Sequence, residues 1–389
     1  MQIQTPARLA ALPPYLFVDI DRKKQGLRAA GKDVIDFGIG DPDRPTPSFI
    51  VERMAEAIRV APNHRYPANK GHAAFRRAVA HFFDQRYQVS LDAETEVLAL
   101  IGSKEGIGHM PLAVVNPGDG VLVPSPAYPV YHSGTLFAGG TPVTMRLTEA
   151  NGWLPRFGEI NPSDLRRCKL MFLNYPNNPT GATAPIEFFE EAVAFARKHD
   201  ILLVHDAAYN ESYYGSRRPP SVLQVKGARD VAVEMHSLSK TFNMTGWRIG
   251  FAAGNAEAIE RLAKVKANLD SSQFSAVQDA AVTALENYQH PALEELRAMY
   301  RTRRDILCPA LKSLGFSVTP PDATFYVWVG VPAGYYSFQV VNKLLDEAAI
   351  VCIPGQGFGE EGAGFVRFAL TVEAEEIQKA VERMRSLQW

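Results

Sequence analysis

Short aliphatic runs alternating with amphipathic stretches constrain the fold of this chain more than any other feature. Val97–Ile101, Gly120–Val123, Lys169–Leu173, Ile201–His205 and Val231–Met235 are brief, and each ends in polar or glycine-rich sequence. Between them lie helical patterns. Pro185–His199 places Ile186, Phe189, Val193 and Ala196 on one stripe, with Pro185 suited to the first helical position. Pro47–Val60 follows Thr46 and repeats Ile50, Met54 and Ala57 at helical spacing. Strand–helix alternation of this kind predicts an α/β fold: a mostly parallel central sheet covered by helices.

The chain's 389 residues exceed what one growing core accommodates, so two domains are expected. From about Asn287 the pattern changes. Residues 291–314 read as one long helix interrupted only near Pro309. The strand-like Thr324–Val329, a helix around Phe338–Ala348, a glycine-rich turn at Pro354–Gly364 and the strand Phe365–Leu370 follow. A last helix buries Ile377, Val381 and Met384. The expected division is a large domain over residues 47–287 and a smaller α+β domain over 288–389. An N-terminal segment, residues 1–46, is expected to associate with the smaller domain.

Composition excludes several classes of function. A net charge of −1 leaves no electrostatic footprint for nucleic acid or an anionic membrane. No apolar run approaches the roughly 18 residues that cross a bilayer. The opening MQIQTPARLAALPPYLF lacks a basic start, apolar core and small-residue cleavage site, which points to the cytoplasm. Cys168, Cys308 and Cys352 are odd in number and scattered, which suits a reducing compartment. The histidines form no cluster at metal-ligand spacing, so no metal site is expected.

In a sheet of this kind ligands bind beyond the carboxyl ends of the strands, so the residues there are the ones to inspect. Gly102-Ser103-Lys104 follows the first run and opens a helix, where small residues let backbone N–H groups approach a phosphate. NYPNNPTGA, carrying Asn178, follows the third. Asp206 and Tyr209 follow the fourth, and Ser237, Ser239 and Lys240 the fifth, with Arg248 further on. Singly, each has a plain alternative: a turn, a helix cap or a solvated side chain. Together they suit a phosphorylated pyridine aldehyde. The lysine amine can condense with the aldehyde, the arginine can pair with the phosphate, and the aspartate can keep the ring nitrogen protonated. Two decoys fall away. Ser237-Leu-Ser-Lys240 fits a hydrolase S-x-x-K motif but lacks its S-D-N and K-T-G companions. Gly38-Ile-Gly40 begins like a dinucleotide loop but meets Pro42 and no third glycine.

The segments NNPTG, HDAAY and SLSKTFNMTGWRIG, in that order, resemble those of the class I/II aminotransferases of pyridoxal-phosphate fold type I. The resemblance runs over essentially the whole chain, and it implies pyridoxal 5′-phosphate as cofactor. By that resemblance Lys240 is the Schiff-base lysine, Asp206 pairs with the pyridinium nitrogen, and Tyr209 and Asn178 hydrogen-bond the cofactor's phenolic oxygen. Ser103, Lys104, Ser237, Ser239 and Arg248 match the phosphate side, and Tyr128, in SPAYPVY, matches the aromatic residue stacked on the ring. Arg367 matches the arginine that grips the substrate α-carboxylate, helped by the Gly40 backbone and Asn178. Tyr66, in HRYPANKG, matches a tyrosine that reaches the neighbouring subunit's phosphate, implying a homodimer. The implied reaction is ping-pong transfer of an amino group between an L-amino acid and a 2-oxo acid.

Within the family, PPYLFVDID, IGDPDRPTP, KLMFLNYPNNPTGA and ATFYVWVGVP resemble the LL-diaminopimelate aminotransferases. Such enzymes convert tetrahydrodipicolinate and glutamate to LL-diaminopimelate and 2-oxoglutarate in lysine biosynthesis. Tyr15 matches a tyrosine at the substrate's distal end. One departure stands out: Tyr66 to Gly71 reads Y-P-A-N-K-G, with Asn69 and Lys70 where a glutamate meets the distal ammonium. Lys70 would suit an acidic substrate side chain, or it points to solvent. Aspartate, glutamate or alanine transamination therefore stays open, as does a carbon–sulfur lyase. A regulator built on this scaffold is disfavoured by the neutral charge and the lack of an N-terminal extension.

Overall fold

The computed structural model describes residues 3–12 and 17–389; Tyr15 lies outside the described residues. The central sheet has seven strands: β1 (Val97–Leu100), β2 (Gly120–Ser125), β3 (Thr141–Arg146), β4 (Cys168–Asn174), β5 (Leu202–Asp206), β6 (Ala232–Ser237) and β7 (Gly250–Gly254). Their spatial order is β1-β7-β6-β5-β4-β2-β3. All neighbours run parallel except β7, which is antiparallel to both β1 and β6.

Side chains alternate across this sheet. Leu170 and Phe172 enter one core with the helices Ser103–Val114 and Ala256–Leu269. Met171 and Leu173 enter the other, with the helices Ala73–Tyr87, Ile186–His199 and Ser275–Glu286. Both faces are covered, which explains the nearly unbroken apolar strands. The sequence reading missed two strands for physical reasons. β3 is an edge strand that tolerates Pro142 and stays partly exposed. β7 is masked by glycines, yet Gly250 is required: a Cβ there would stand 2.5 Å from His236 O and 2.9 Å from Ser103 N.

The smaller domain carries four antiparallel strands, β8 (Ser317–Val318), β9 (Tyr326–Gly330), β10 (Ile353–Pro354) and β11 (Phe365–Ala369), in the order β10-β11-β9-β8. The helix Pro291–Ser313 runs unbroken through Pro309, contrary to the expected interruption. Proline removes one donor, and the packing of this helix on Ala374–Arg385 holds it continuous. Ile377, Val381 and Met384 are buried as one stripe. Ile35–Asp36 pairs in parallel with Ile350–Val351, so the segment before the large sheet is stitched to this domain. Two finer expectations shift. Pro185 caps the helix from outside rather than occupying its first position, and Phe188 takes the buried place expected of the half-buried Ile186.

Candidate active site

The parallel strands β4, β5 and β6 end side by side. Asn174 stands opposite Asp206, and Asp206 opposite Met235, two residues before Ser237. Through β7, Leu100 and Ser237 are both opposite Gly250. One row of backbone pairing therefore brings together the turn after β1, the β6–helix junction and the Arg248 that precedes β7. Ser103 starts its helix after Gly102, whose φ of +73° and closeness to Arg248 exclude a side chain: a Cβ would lie 2.3 Å from the guanidinium. Ser237 caps the short helix Leu238–Thr241, accepting from Ser239 N at 3.2 Å. Arg248 donates to Thr245 O at 2.8 Å and reaches Ser239 Oγ at 3.5 Å. Two helix N-termini, two hydroxyls and an exposed guanidinium thus face one place, a ready anion cradle. Lys104 is exposed beside it, its Nζ 5.8 Å from the Tyr128 ring centre.

Asp206 is buried, and its carboxylate accepts from Tyr131 Oη at 2.8 Å and Ala208 N at 3.2 Å. Burial raises its pKa, with the Tyr131 and Ala208 hydrogen bonds opposing. A desolvated carboxylate with this geometry calls for a cationic N–H partner. Tyr131 went unnoticed in the sequence, although it stands three residues after Tyr128 on the same turn; the two rings meet edge to face at 6.0 Å. Asn174 was also missed. It donates to Asp206 O at 2.7 Å and accepts from Asn178 N at 2.8 Å, tying the two site residues together.

Lys240 Nζ donates to Gly40 O at 2.9 Å and lies 5.7 Å from the Phe325 ring. Desolvation, with Arg248 and Arg367 adding to it against the pull of Asp41, lowers its pKa to about 8. A lysine in that state gives up its proton far more readily than an ordinary one, as a nucleophile and proton carrier must.

Arg367 projects from β11 and is buried with Tyr326 and Phe358 against its guanidinium, 4.2 and 4.8 Å from the ring centres. It donates to Asn178 Oδ1 at 2.8 Å and to Gly38 O at 2.9 Å, while its Nε has no protein partner. A buried guanidinium with an unmet N–H and, among the described residues, no carboxylate paired with it is poised for an anionic ligand. Tyr209 Oη meets Tyr326 Oη at 3.2 Å, and Tyr326 also explains Gly40: a Cβ at residue 40 would collide with its hydroxyl at 1.9 Å. Tyr66 lies apart, 89% exposed. Lys70 pairs with Glu260, and Asn69 is exposed. No helix among the described residues is long and apolar enough to cross a membrane.

Fold and site together define an amino-group transfer enzyme, and comparison with known proteins agrees. The family described as aminotransferase class I and II matches residues 32–384, and the chain belongs to it. An LL-diaminopimelate aminotransferase from Aquifex aeolicus is 52% identical over 380 residues, covering 98% of each chain. Another, from Syntrophobacter fumaroxidans, is 53% identical over the same length and coverage. The solved structure of an aminotransferase from Staphylococcus aureus superposes with a TM-score of 0.90 at 36% identity, over 98% of this chain and 99% of that one.

Proposed function

We propose that the enzyme transfers an amino group between LL-diaminopimelate and 2-oxoglutarate, using pyridoxal 5′-phosphate bound at the strand ends. The observation that carries the substrate is full-length identity above one half to relatives named for that reaction. The donor set fits the cofactor: a buried carboxylate at Asp206, a neutral-prone amine at Lys240 and the anion cradle of Ser103, Ser237, Ser239 and Arg248. When bound, the cofactor supplies an aldehyde that links to amines and a protonated ring that takes up the electron pair of a departing α-proton.

The protein's own residues do the rest. Asp206, oriented by Tyr131, would hold the proton at the ring nitrogen. Tyr209 and Asn178 would hold the phenolic oxygen, and Tyr128 would hold the ring by its aromatic face. Arg367 clamps the α-carboxylate and so turns the Cα–H toward Lys240. The Lys240 amine would take that proton from the α-carbon and deliver it to the carbon that was the cofactor's aldehyde, leaving the amine neutral again. Tyr66, 89% exposed, would reach the phosphate of a second copy, so the working unit would be a homodimer. The enzyme acts in the cytoplasm, in keeping with three buried, unpaired thiols.

The alternative of an acidic amino donor draws on Lys70, which at the surface pairs with Glu260. A half-reaction screen decides the matter. The loaded enzyme is mixed with single amino acids and the visible absorbance of the bound cofactor is followed. LL-diaminopimelate and glutamate should react quickly, and aspartate and alanine slowly. The reverse pattern refutes the assignment, and pyruvate release from a cysteine-type substrate without an oxo-acid acceptor would refute transamination itself.

A further inference from the structure

Between Phe37 and Thr46 the chain forms a strap from the smaller domain to the large one, and four successive carbonyls along it are taken, three by β11 and the residues just after it and the fourth by Lys240. Phe37 O accepts from Ala369 N (2.8 Å), Gly38 O from Arg367 Nη2 (2.9 Å), Ile39 O from Thr371 Oγ1 (2.6 Å) and Gly40 O from Lys240 Nζ (2.9 Å). Further on, Arg44 O accepts from Asn243 Nδ2 at 3.1 Å, and Thr46 Oγ1 donates to Asn243 O at 2.8 Å. Asn243 itself adopts a left-handed φ of +50°, which turns both its side chain and its carbonyl onto the strap.

Midway stands Asp43. Its two oxygens each accept from the Arg303 guanidinium at 2.7 Å. Arg303, whose side chain is 1% exposed, also donates to Leu370 O at 3.0 Å and Glu373 Oε2 at 2.8 Å. Glu373 in turn receives Arg44 Nη2 at 2.7 Å. A planar fork gripping a carboxylate with two parallel bonds fixes angle as well as distance. Burial opposes ionisation of Asp43, yet the Arg303 bonds prevail and hold its carboxyl below the ordinary value. Leu370 immediately follows β11, the strand that carries Arg367. The fork therefore ties the strap to the strand whose arginine that strap must meet.

We propose that Asp43 and Arg303 are positioning residues: they hold the Gly38–Gly40 carbonyls against Arg367 and Lys240, and so set the affinity for the substrate carboxylate. The proposal rests on the reading of Arg367 as the carboxylate clamp. With the strap slack, the Arg367 Nη2 would lose the acceptor that fixes the plane of the fork. The contacts of Asp206 and of the Ser103, Ser237, Ser239 and Arg248 cradle would be untouched, because they are made from the strand ends of the large domain.

The informative variant is Asp43→Asn in the full-length, cofactor-loaded enzyme, since the Asp43 side chain is 21% exposed whereas Arg303 is buried and its loss threatens folding. We expect KM for both the amino acid and the oxo acid to rise about tenfold while kcat stays within about threefold, the signature of lost uniform binding. Cofactor affinity, read by equilibrium dialysis, should be unchanged. Asp43→Glu, which restores the carboxylate, should bring KM back to within about threefold of the parent. A merely structural role would lower the melting temperature and leave KM alone, and that result overturns the proposal. Arg367→Lys, run in parallel, separates the two readings. If it raises KM while Asp43→Asn does not, only the positioning role fails; if it leaves KM unchanged, the carboxylate clamp fails with it.

Discussion

The half of this site proposed for the cofactor and the half proposed for the substrate carboxylate are held by different kinds of bond. On the cofactor half, Asp206, Ser237 and the Gly102–Lys104 turn sit at ends of strands in one ladder, where backbone pairing sets their spacing. On the carboxylate half, Arg367 belongs to a second sheet that shares no strand with the first among the described residues. Its alignment with Lys240 comes from side-chain bonds to Asn178 and Gly38 and from the strap that Asp43 and Arg303 secure. A ladder keeps its geometry when a side chain changes, but an alignment made of side chains does not. Substitutions on the two halves should therefore fail in different ways.

The largest effect is expected at the point where the halves meet. Lys240→Ala removes the amine that the Gly40 carbonyl holds, and turnover should fall by at least about 10⁴-fold. The cofactor should survive dialysis through its phosphate contacts; full loss of binding would mean that the cradle is not independent of the lysine. Asp206→Asn keeps the shape of the ladder end but loses the charge facing the ring nitrogen. It should cost roughly 10³-fold in kcat with little change in KM. A variant whose KM suffers instead would break the contrast between halves. Arg367→Lys replaces a fork with a point charge and should cost about 100-fold in kcat/KM, chiefly through KM, in steady-state assays with either substrate.

A pH measurement sharpens the comparison at lower cost. Lys240 must be neutral to attack the aldehyde, and its pKa is lowered to about 8 by burial. Below that value the protonated amine cannot react, so cofactor uptake by the apoenzyme should accelerate about tenfold per pH unit and level off above it. Stopped-flow absorbance would show this, and a midpoint near the ordinary lysine value of 10.5 would refute the desolvated setting. The smallest effect belongs to Tyr131→Phe, which strips one hydrogen bond from Asp206. About a three- to tenfold loss in kcat is expected, less than the full worth of a bond to a charged group because Ala208 N still holds the carboxylate, accompanied by a shift in the pH titration of the bound cofactor's spectrum. An unchanged titration would place Tyr131 outside the site.

Much of the cofactor half was legible in sequence because chain-local rules govern it. Apolar runs end where a strand ends, and polar residues just beyond, such as Asp206 and Ser237, face the crevice. The residues that escaped act across distance. Tyr131 was hidden behind the better-known pattern of Tyr128, and Asn174 read as one more residue of an apolar run. Asp43 lay in a proline-rich stretch and its partner Arg303 in an ordinary amphipathic helix. Neither has a local signal, because an ion pair between residues so far apart exists only once two domains have folded. Lys70 shows the converse: suggestive by position, it is claimed by Glu260.

The sequence by itself determined the alternating architecture, the residues at the strand ends and the family to which they belong, since periodicity and motif order are properties of the chain. Tertiary structure alone decided that Asp206 is desolvated and held by Tyr131, that Lys240 lies against the Gly40 carbonyl with its pKa drawn down, and that the Asp43–Arg303 fork sets the strap over Arg367. The reason is physical. Desolvation and hydrogen-bond direction depend on which atoms crowd a group in three dimensions, and those atoms come from segments that the linear order keeps apart.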